Sequence, residues 1–546
     1  MLVRIGLLTE GGAPCASGDT GAWWRRLVHG LGGHDFDLYA LDGPPPATPL
    51  PPHVRPVAPT GEGARPAGPA ERAPRRTHGR RDRRRFAEGF HALATGLAAE
   101  DDTAADAFAD GLGALADLAR DTGGLPAALR SDDAVRLLED ACRAPGARRA
   151  VADACLSDHL ALARHLERAL RPLSLDWYDE TALGAADLCH ATAGGPVALP
   201  GLLAKRFFGT PLLVTEYGVG LRAHYLAADD PGRSTALRTL LAALHGRLAG
   251  ETCRQADLLT PGNAHARRWQ EKCGAGRDRI RTVHPGMPAT RFAEVGEDEE
   301  SGEPGTLVWI GRVEPAKDLV SLLHAFADLR ARQPDTRLRI VSVPAAGDGD
   351  GRRDGHCAYR AQCAALAAQL FPDEAAGAHA VGENPVSFEE LGGPEAPTLE
   401  DVYASAAVVV LSSTVEGFPA SLVEAMFCAR ATVSTDVGAV VEIIGGTGLV
   451  VPPRNPRALA DACLALLRDP GRRYRLGAAA RARALELFTV DQNLAAFRGI
   501  YLELLSRAPV RHRAGSDVPF AHPAETRIPG GWAPSAVPAG TGAPDA

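Results

Sequence analysis

The stretch from Ala406 to Met426 decides the fold, and it reads AAVVVLSSTVEGFPASLVEAM. It begins with an uninterrupted apolar run, continues with the polar residues 412–414, and becomes helical in pattern near Pro419. A short apolar run followed by turn residues and a helix is typical of a parallel α/β sheet, whose strands are buried on both faces. Ligands of such sheets bind at the carboxyl ends of the strands. The stretch therefore predicts both a strand–turn–helix unit and the position of a site.

Two carboxylates lie on this unit. Glu416 is in the loop, where it can accept hydrogen bonds from sugar hydroxyls, and Glu424 lies inside the helix, where it can hold two ribose hydroxyls. The free N–H groups of the first helical turn suit an anionic pyrophosphate. A solvated carboxylate next to a helix cap is the plainer alternative, and the spacing alone leaves both open. The predicted donor-binding residues here are Gly417, Phe418, Pro419, Ala420, Ser421, Leu422 and Glu424, with Glu416 placed among the catalytic residues.

A second motif, LVWIGRVEPAKD, runs from Leu307 to Asp318 and has the same form: a strand, a glycine, two cations and a helix start. Arg312 and Lys317 would stand at the same sheet edge as Glu416, where they can stabilise the negative charge of a departing diphosphate. Only three lysines occur in the chain, so a lysine at this position is informative. A pair of ordinary surface charges is the alternative. We predict Arg312 and Lys317 as catalytic residues and Gly311 as part of the donor site.

Two successive series of such units predict two Rossmann-like doubly wound domains that face each other across a cleft. The predicted strands of the first series are 3–9, 36–41, 187–191, 211–215, 257–261 and 280–284. Those of the second series are 307–311, 338–342, 406–411, 431–435 and 448–451.

The domain boundaries follow from shifts in composition. The segment 43–85 is rich in Pro, Gly and Arg and predicts a mobile loop, whereas the Ala/Leu-rich segment 86–185 predicts a helical insertion. The predicted organisation is an N-terminal domain at 1–295, a C-terminal domain at 296–485 that carries the two motifs, a helix that packs back at 486–506 and a disordered tail at 507–546.

The bulk composition excludes several classes of protein. Hydrophobic residues make up 45% and charged residues 23% of the chain, and the net charge of −8 gives no field that attracts nucleic acid. The chain has no apolar run of membrane-spanning length, and its N-terminus lacks the pattern of a signal peptide. Its 10 cysteines are scattered, which fits reduced thiols. No spacing of His, Asp and Glu indicates a metal site. The sequence predicts a cytoplasmic protein that needs no metal or cofactor.

One local charge has the opposite sign. Nine arginines lie between Arg65 and Arg85. They form either a solvated loop or a peripheral contact with an anionic membrane or an export complex at the inner membrane face.

The motifs resemble a known family. Gly311-Arg312 with Lys317, and Glu416 with Glu424, resemble the donor-binding signature of the family-4 retaining glycosyltransferases, which have the GT-B fold. The N-terminal half resembles the PelF-type enzymes of exopolysaccharide synthesis through the segments 8–11 and 211–218 and through His190.

This resemblance implies an activity, in which the domain at 1–295 is the acceptor-side domain and the domain at 296–485 binds the nucleotide sugar. The enzyme would move a hexose from a nucleoside-diphosphate sugar to a glycan or another hydroxyl acceptor, with retention of configuration. Arg312 and Lys317 would contact the donor phosphates, Glu416 the transferred sugar and Glu424 the ribose.

The acceptor side is less distinctive. Gly18 and Gly21 in the first loop, His190 and Glu216 are the candidate residues, and His190 and Glu216 each have a purely structural alternative. The chain departs from the PelF-type pattern in two places: Tyr217 replaces a histidine, and the first loop lacks a Gly-Gly pair. Both departures concern the acceptor.

Two further functions share this type of cleft or motif. One is a nucleotide-sugar epimerase or a phosphorylase, the latter of which would need a pyridoxal lysine. The other is an inactive sugar-nucleotide-binding scaffold within an export complex.

Overall fold

Two parallel six-stranded sheets form the framework of the chain. The first contains β1 (Arg4–Gly11), β2 (Asp35–Asp42), β3 (Val54–Val57), β4 (Leu188–Ala191), β5 (Leu212–Glu216) and β6 (Leu258–Pro261). The second contains β7 (Thr306–Gly311), β8 (Arg337–Ser342), β9 (Val386–Glu390), β10 (Val408–Leu411), β11 (Ala431–Thr435) and β12 (Leu449–Val451). The computed structural model describes residues 3–11, 20–42, 49–60, 78–101, 103–226, 232–297, 302–343, 350–372 and 384–508.

Both sheets have the same strand order. The first is β3-β2-β1-β4-β5-β6 and the second is β12-β11-β10-β7-β8-β9. Counted within each domain, both correspond to the order 3-2-1-4-5-6 of a dinucleotide-binding Rossmann sheet. Every strand pair is parallel. The two predicted doubly wound domains are confirmed.

Helices cover both faces of each sheet. Those that precede the second sheet are α1 (Thr20–Gly30), α2 (Arg80–Ala98), α3 (Ala104–Thr122), α4 (Leu125–Leu129), α5 (Asp132–Arg143), α6 (Arg149–Ala152), α7 (Leu156–Leu170), α8 (Leu199–Phe208), α9 (Gly220–Leu226), α10 (Thr235–Gln255), α11 (Ala264–Lys272) and α12 (Ala293–Glu297). Those that follow β7 are α13 (Leu319–Arg332), α14 (Asp350–Leu370), α15 (Leu399–Ser405), α16 (Ala420–Phe427), α17 (Val440–Ile444), α18 (Pro456–Leu467), α19 (Pro470–Leu487) and α20 (Val490–Arg507).

The predicted helical insertion is present between β3 and β4. It contains α2 to α7, and α2 and α3 pack so closely that two glycines are required. A Cβ on Gly111 would lie 2.4 Å from the backbone nitrogen of Leu93, and one on Gly96 would lie 2.6 Å from the carbonyl oxygen of Ala104. The apolar side chains of the insertion share one core with the first sheet, including Phe90, Phe108 and others buried around them. The insertion is therefore part of the N-terminal domain.

The predicted loop at 43–85 is wrong for two of its stretches. Val54–Val57 forms β3, an edge strand in which the side chain of Arg55 pairs with Asp37 at 2.8 Å. Residues 80–85 form the first turns of α2, where Phe86 anchors the helix in the core. Short strands with a proline are accepted at sheet edges, and they have too few apolar residues to stand out in a sequence. Residues 43–48 and 61–77 lie outside the described residues.

Two further strand predictions are wrong, one because it was made and one because it was missed. Residues 280–284 do not form a strand, because only Ile280 pairs, as a single bridge with Leu259. β9 was not predicted, because its sequence VSFEE ends in two acidic residues. Its buried Glu389 is compensated by Arg339 on β8 at 2.6 Å, and this partner is far away in the sequence.

The helix α20 returns from the C-terminal domain to the first sheet. Its apolar face lies in the same core as β1 and α1, with Phe497, Ile500 and Tyr501 fully buried. Asn493 fixes this docking, since its side chain accepts from Trp23 Nε1 at 3.1 Å and donates to the carbonyl oxygen of His284 at 2.7 Å. The compact unit that contains both sheets runs to Leu505. The predicted tail lies outside the described residues from 509 onward.

Candidate functional site

Two neighbouring strands of the second sheet carry the two sequence motifs to the same edge. Arg312 and Lys317 follow β7, Glu416 follows β10, and these strands pair in parallel. The loops are then joined by hydrogen bonds: the backbone nitrogen of Thr414 donates to the carbonyl oxygen of Ala316 at 2.8 Å. Ser412 Oγ donates to the carbonyl oxygen of Lys317 at 2.7 Å. The cations and the carboxylate therefore lie on one loop pair.

Asp318 determines where the first loop ends. Its backbone has a positive φ of 47°, and its side chain accepts a hydrogen bond from the backbone nitrogen of Ser321 at 3.2 Å. An aspartate tolerates the left-handed region better than most residues and is a favourable N-cap. The turn directs the preceding Lys317 toward the edge of β10, and the prediction that Asp318 begins this helix is confirmed.

Lys317 and Glu416 contact each other directly. Lys317 Nζ forms an ion pair with Glu416 Oε1, which also accepts a hydrogen bond from Ser413 Oγ at 2.8 Å. The side chains are 17% and 8% exposed, respectively. A partly desolvated ion pair with an additional hydrogen bond has a defined geometry, unlike a surface pair between mobile side chains. The pair places an ammonium and a carboxylate side by side at the sheet edge.

Arg312 differs from Lys317 in its surroundings. It is half-buried, and no described carboxylate lies within ion-pair distance of its guanidinium. An arginine presents five N–H donors in a planar fork that matches phosphate oxygens. Within the described residues Arg312 is thus available to bind an anion.

The predicted donor segment forms the first turn of α16. Pro419 is the N-cap, Gly417 is exposed, and Phe418 packs edge-to-face on Phe488 with ring centroids 6.0 Å apart. The backbone of the loop is closely packed against Gly438, where a Cβ would lie 2.4 Å from the carbonyl oxygen of Glu416. Gly438 also has a positive φ of 58°. Only glycine fits both conditions, so Gly438 fixes the loop that carries Glu416.

Glu424 lies on α16 and is held by a neighbour that the sequence did not reveal. Tyr403 Oη donates to Glu424 Oε2 at 2.8 Å and also contacts the carbonyl oxygen of Ser421 at 3.1 Å. Burial raises the pKa of Tyr403 well above its ordinary value, and the charge of Glu424 raises it further. The tyrosine therefore remains a neutral donor that orients the carboxylate.

On the acceptor side, His190 is not at the cleft surface. It is fully buried, with Nδ1 2.7 Å from Tyr501 Oη and Nε2 2.7 Å from Thr215 Oγ1. Burial lowers the pKa of His190 to about 3. Both ring nitrogens are occupied and the ring packs against Trp23, so the structure corrects the prediction that His190 reaches a sugar hydroxyl.

Glu216, by contrast, ends β5 at the edge of the first sheet. Its Oε1 accepts from the backbone nitrogen of Gly220 at 3.2 Å, and its Oε2 accepts from Gln270 Nε2 at 3.3 Å. Burial raises the pKa of Glu216 above its usual value. The neighbouring Tyr217, which departs from the PelF-type pattern, points into the core and accepts from Asn493 Nδ2 at 3.0 Å. The tyrosine therefore serves packing rather than the cleft.

The two candidate glycines of the first loop have no described contact with the site. Gly18 lies outside the described residues, and Gly21 lies in the first turn of α1.

The carboxyl edges of the two sheets face each other. The backbone nitrogen of Ala264, which begins α11 after β6, donates to Glu442 Oε2 at 2.6 Å, and Glu442 lies on α17 after β11. Sequence reasoning missed Glu442, as it missed Ser413, Tyr403 and Gly438. Ser413 alone had a signal, because it lies in the polar turn that ends β10; the others contact the site only through tertiary structure.

Within the described ranges, no group of three or more His, Cys, Asp or Glu residues is arranged to hold a metal ion. In the same ranges, none of the helices combines the length and hydropathy needed to cross a bilayer.

Comparisons with known proteins agree with this arrangement. Residues 304–469 match the family described as "Glycosyl transferases group 1", and residues 3–278, half of the chain, match the family described as "Domain of unknown function (DUF3492)". Fold and matches together define a glycosyltransferase with two Rossmann-like domains, the GT-B fold. The chain belongs to the glycosyltransferase group 1 family.

Two curated relatives are D-inositol 3-phosphate glycosyltransferases. That of Frankia alni is 30% identical over 305 residues, which are 54% of this chain and 68% of the relative. That of Kribbella flavida is 30% identical over 313 residues, which are 55% of this chain and 68% of the relative.

Two solved structures share the fold. Sucrose-phosphate synthase from Thermosynechococcus elongatus has a TM-score of 0.53 and 17% identity, over 92% of this chain and 99% of that one. HepE from Anabaena, solved in complex with UDP, has a TM-score of 0.51 and 13% identity, over 92% of this chain and 100% of that one.

Proposed function

We propose that the chain is a retaining hexosyltransferase that moves a sugar from a nucleoside-diphosphate donor to a hydroxyl acceptor. The observation that carries the proposal is the Lys317–Glu416 ion pair, which lies on the two loops that also carry Arg312 and lead into the first turn of α16. One sheet edge thus combines groups for a diphosphate and for a sugar. The proposal rests on this set of side chains and on family membership.

The donor would lie along this edge, where positive groups of the protein would face its negatively charged diphosphate. A diphosphate at the start of α16 meets free backbone N–H groups, while Arg312 and Lys317 supply positive charge. Glu424, oriented by Tyr403, would accept hydrogen bonds from the ribose hydroxyls, and Glu416 would contact the hexose. HepE from Anabaena, which shares the fold, was solved with UDP and also with UDP and glucose. These complexes support a nucleotide sugar as the donor.

The transfer step itself needs no protein nucleophile. The bond between the sugar C1 and the diphosphate oxygen breaks, and a bond from C1 to the acceptor oxygen forms on the same face. The acceptor proton passes to the departing diphosphate oxygen. Arg312 and Lys317 stabilise the charge that develops on the diphosphate, and the two domains position the reactants. With these two cations at the phosphates, we propose that no metal ion or other cofactor is required.

The acceptor and the cellular role follow from resemblance. The relatives are named for D-inositol 3-phosphate, and the N-terminal half resembles PelF-type enzymes. We propose a glycan or polyol acceptor, with polysaccharide synthesis in the cytoplasm as the setting.

A peripheral contact with the inner membrane face or an export complex is part of this proposal. It draws support from the first turn of α2, where Arg80, Arg81 and Arg83 are exposed. Cations at a helix N-terminus are unfavourable with respect to the helix dipole, so an external anionic surface would stabilise this arrangement.

A screen of nucleotide sugars tests the function. Each donor is incubated with the protein, and both release of nucleoside diphosphate and thermal stabilisation are measured. We expect one or a few donors to be hydrolysed slowly and to protect the protein from unfolding. Protection without turnover for every donor, in the presence of candidate acceptors, would instead identify a binding scaffold, and interconversion of sugar nucleotides without release would identify an epimerase.

A further inference from the structure

The helices α9 and α11 form an unusual surface at the edge of the first sheet. The start of α9 touches the predicted acceptor residue Glu216 through the nitrogen of Gly220, and the start of α11 touches the opposite domain through Ala264. Facing residues of these two helices, which we call the α9–α11 face, are Arg222, Tyr225, His265, Arg268, Trp269 and Lys272. The face is therefore connected to the cleft.

Aromatic rings form one part of the α9–α11 face. The rings of Tyr225 and Trp269 stack with centroids 6.3 Å apart and planes inclined by 30°. Tyr225 is 51% exposed, although it is a large aromatic residue. Lys272 Nζ lies 5.6 Å from the centroid of the Trp269 ring. Trp269 is half-buried, so the exposed Tyr225 ring and the accessible part of the Trp269 ring together offer an apolar surface, with a cation at its border, to a ring-shaped ligand.

Cations form the other part. Arg222, Arg268 and Lys272 are the charges that act on His265: burial lowers the pKa of His265, and these three cations lower it further. None of the three forms an ion pair with a described carboxylate, and Arg268 Nε donates only to the carbonyl oxygen of Ala264, at 3.3 Å.

The neighbouring Arg267 provides the contrast. It lies on the same helix and pairs with Glu271 at 3.2 Å. Like charges held close together repel one another, so the α9–α11 face gathers positive charge that the described chain does not neutralise. An anion from outside the chain would remove this repulsion.

We propose that the α9–α11 face binds a phosphorylated acceptor, a sugar or polyol whose ring lies on Tyr225 and Trp269 and whose phosphate lies between Arg222 and Arg268. This inference rests on the proposed glycosyl transfer and names the class of its acceptor. A phosphomonoester fits better than a neutral hydroxyl because it carries up to two negative charges, and the planar fork of arginine binds two phosphate oxygens at once.

Binding experiments test the proposal without turnover. Glucose 6-phosphate, glucose and inorganic phosphate are titrated calorimetrically into the full chain, with UDP present. We expect glucose 6-phosphate to bind at least about tenfold more tightly than either of the others, because it alone uses both the cations and the rings. Equal affinity for glucose and glucose 6-phosphate would overturn the proposal, and so would equal affinity for inorganic phosphate and glucose 6-phosphate.

Variants locate the binding. We expect the double substitution Arg222→Gln and Arg268→Gln to abolish the preference for glucose 6-phosphate, and Trp269→Ala to reduce it without affecting inorganic phosphate. The control Arg267→Gln removes the same charge from the same helix and should change nothing. Full retention of the preference in the double variant would contradict the assignment.

Two further measurements distinguish acceptor binding at the α9–α11 face from a structural role of its arginines and from the proposed glycosyl transfer. Removing two mutually repelling cations should leave the thermal stability of the unliganded protein unchanged or raise it, whereas a loss of stability would show that these arginines have a structural role instead. UDP binding should be unaffected by the double variant. If no nucleotide sugar is turned over yet glucose 6-phosphate binds as predicted, the proposed function fails and the binding site stands.

Discussion

The carboxyl edges of the two sheets use their side chains in opposite ways. At the edge of the second sheet, Lys317 and Glu416 contact each other on joined loops, one of which also carries Arg312. At the edge of the first sheet, His190 points into the core, whereas Glu216 lies at the edge with hydrogen bonds to its surroundings. The two domains have the same strand order, but their candidate functional residues lie on different kinds of element. Those of the second sheet lie on the loops that directly follow its strands, whereas those of the first sheet lie mainly on the helices that come after its strands.

The largest effect on activity is expected when the charged residues at the second sheet's edge are removed. We expect Lys317→Ala to lower turnover by about 100-fold, and Arg312→Ala by at least about tenfold, through loss of charge stabilisation in the transition state. Initial rates on the selected nucleotide sugar give the measurement. Lys205→Ala is the control, since Lys205 also forms an ion pair, with Asp257 at 2.7 Å, but lies away from the site. Wild-type rates in a folded Arg312/Lys317 double variant would refute the assignment.

The buried His190 should make the free energy of unfolding depend on pH. Its pKa of about 3 lies below the ordinary value of 6.5, so below about pH 6.5 the unfolded chain takes up a proton that the folded chain does not. The free energy of unfolding should therefore fall as the pH decreases from about 6.5 toward 3, with this residue contributing up to about 1.4 kcal/mol per pH unit.

Denaturant titrations at several pH values test this. His190→Gln, which can retain hydrogen bonds but does not titrate, should reduce the slope, whereas His29→Gln at the surface should leave it unchanged. An unaltered slope in His190→Gln would mean that His190 is charged or accessible, and would return it to the cleft.

At the second sheet's edge, the two carboxylates are proposed to bind different parts of the donor: Glu424 the ribose and Glu416 the hexose. We expect Glu424→Ala to weaken binding of free UDP by about tenfold, and Glu416→Ala to affect mainly the intact nucleotide sugar. Tyr403→Phe should weaken UDP binding by a smaller factor, because it removes only the group that orients Glu424. Calorimetric titrations with both ligands provide the test, and equal losses on both ligands for Glu416→Ala and Glu424→Ala would show that the roles are not divided.

The smallest effect concerns the arginines near α2. Because α2 begins at Arg80, a test of membrane contact should delete residues 65–77 and separately replace Arg80, Arg81 and Arg83 by Gln. We expect weak binding to anionic vesicles at low salt that decreases with either change, at about 1 kcal/mol per basic residue near the surface, with turnover in solution unaltered. Co-sedimentation with vesicles at low and physiological salt measures this binding. Identical binding by the unchanged protein, the deletion variant and the substituted variant would show that the arginines form only a solvated segment.

The sequence predicted the second sheet's edge well because each of its motifs lies within a single strand–turn–helix unit. Neighbours in such a unit remain neighbours in space, so Arg312, Lys317 and Glu416 could be assembled from the parallel order of two strands. Tyr403 and Gly438 could not be predicted, because each reaches the site from another element. The same reason applies to the first sheet's edge, where Tyr225 and Trp269 meet only after α9 and α11 pack.

Misplaced strands have a related cause. β3 and β9 are short and polar, and they are stabilised by partners such as Asp37 and Arg339 on adjacent strands. Residues 280–284 have the opposite character, since their pattern fits a strand but only one residue pairs. Sheet edges are settled by tertiary contacts, and local patterns carry little information about them.

The central claim is transfer of a sugar from a nucleoside diphosphate with retention of configuration at the Arg312–Lys317–Glu416 edge. Proton NMR of the anomeric signal, recorded during turnover of the selected nucleotide sugar before mutarotation, tests it most directly. The claim predicts that the first product signal has the same anomeric configuration as the donor, and that it disappears in Lys317→Ala. A product of inverted configuration, or an undiminished signal in Lys317→Ala, would contradict it.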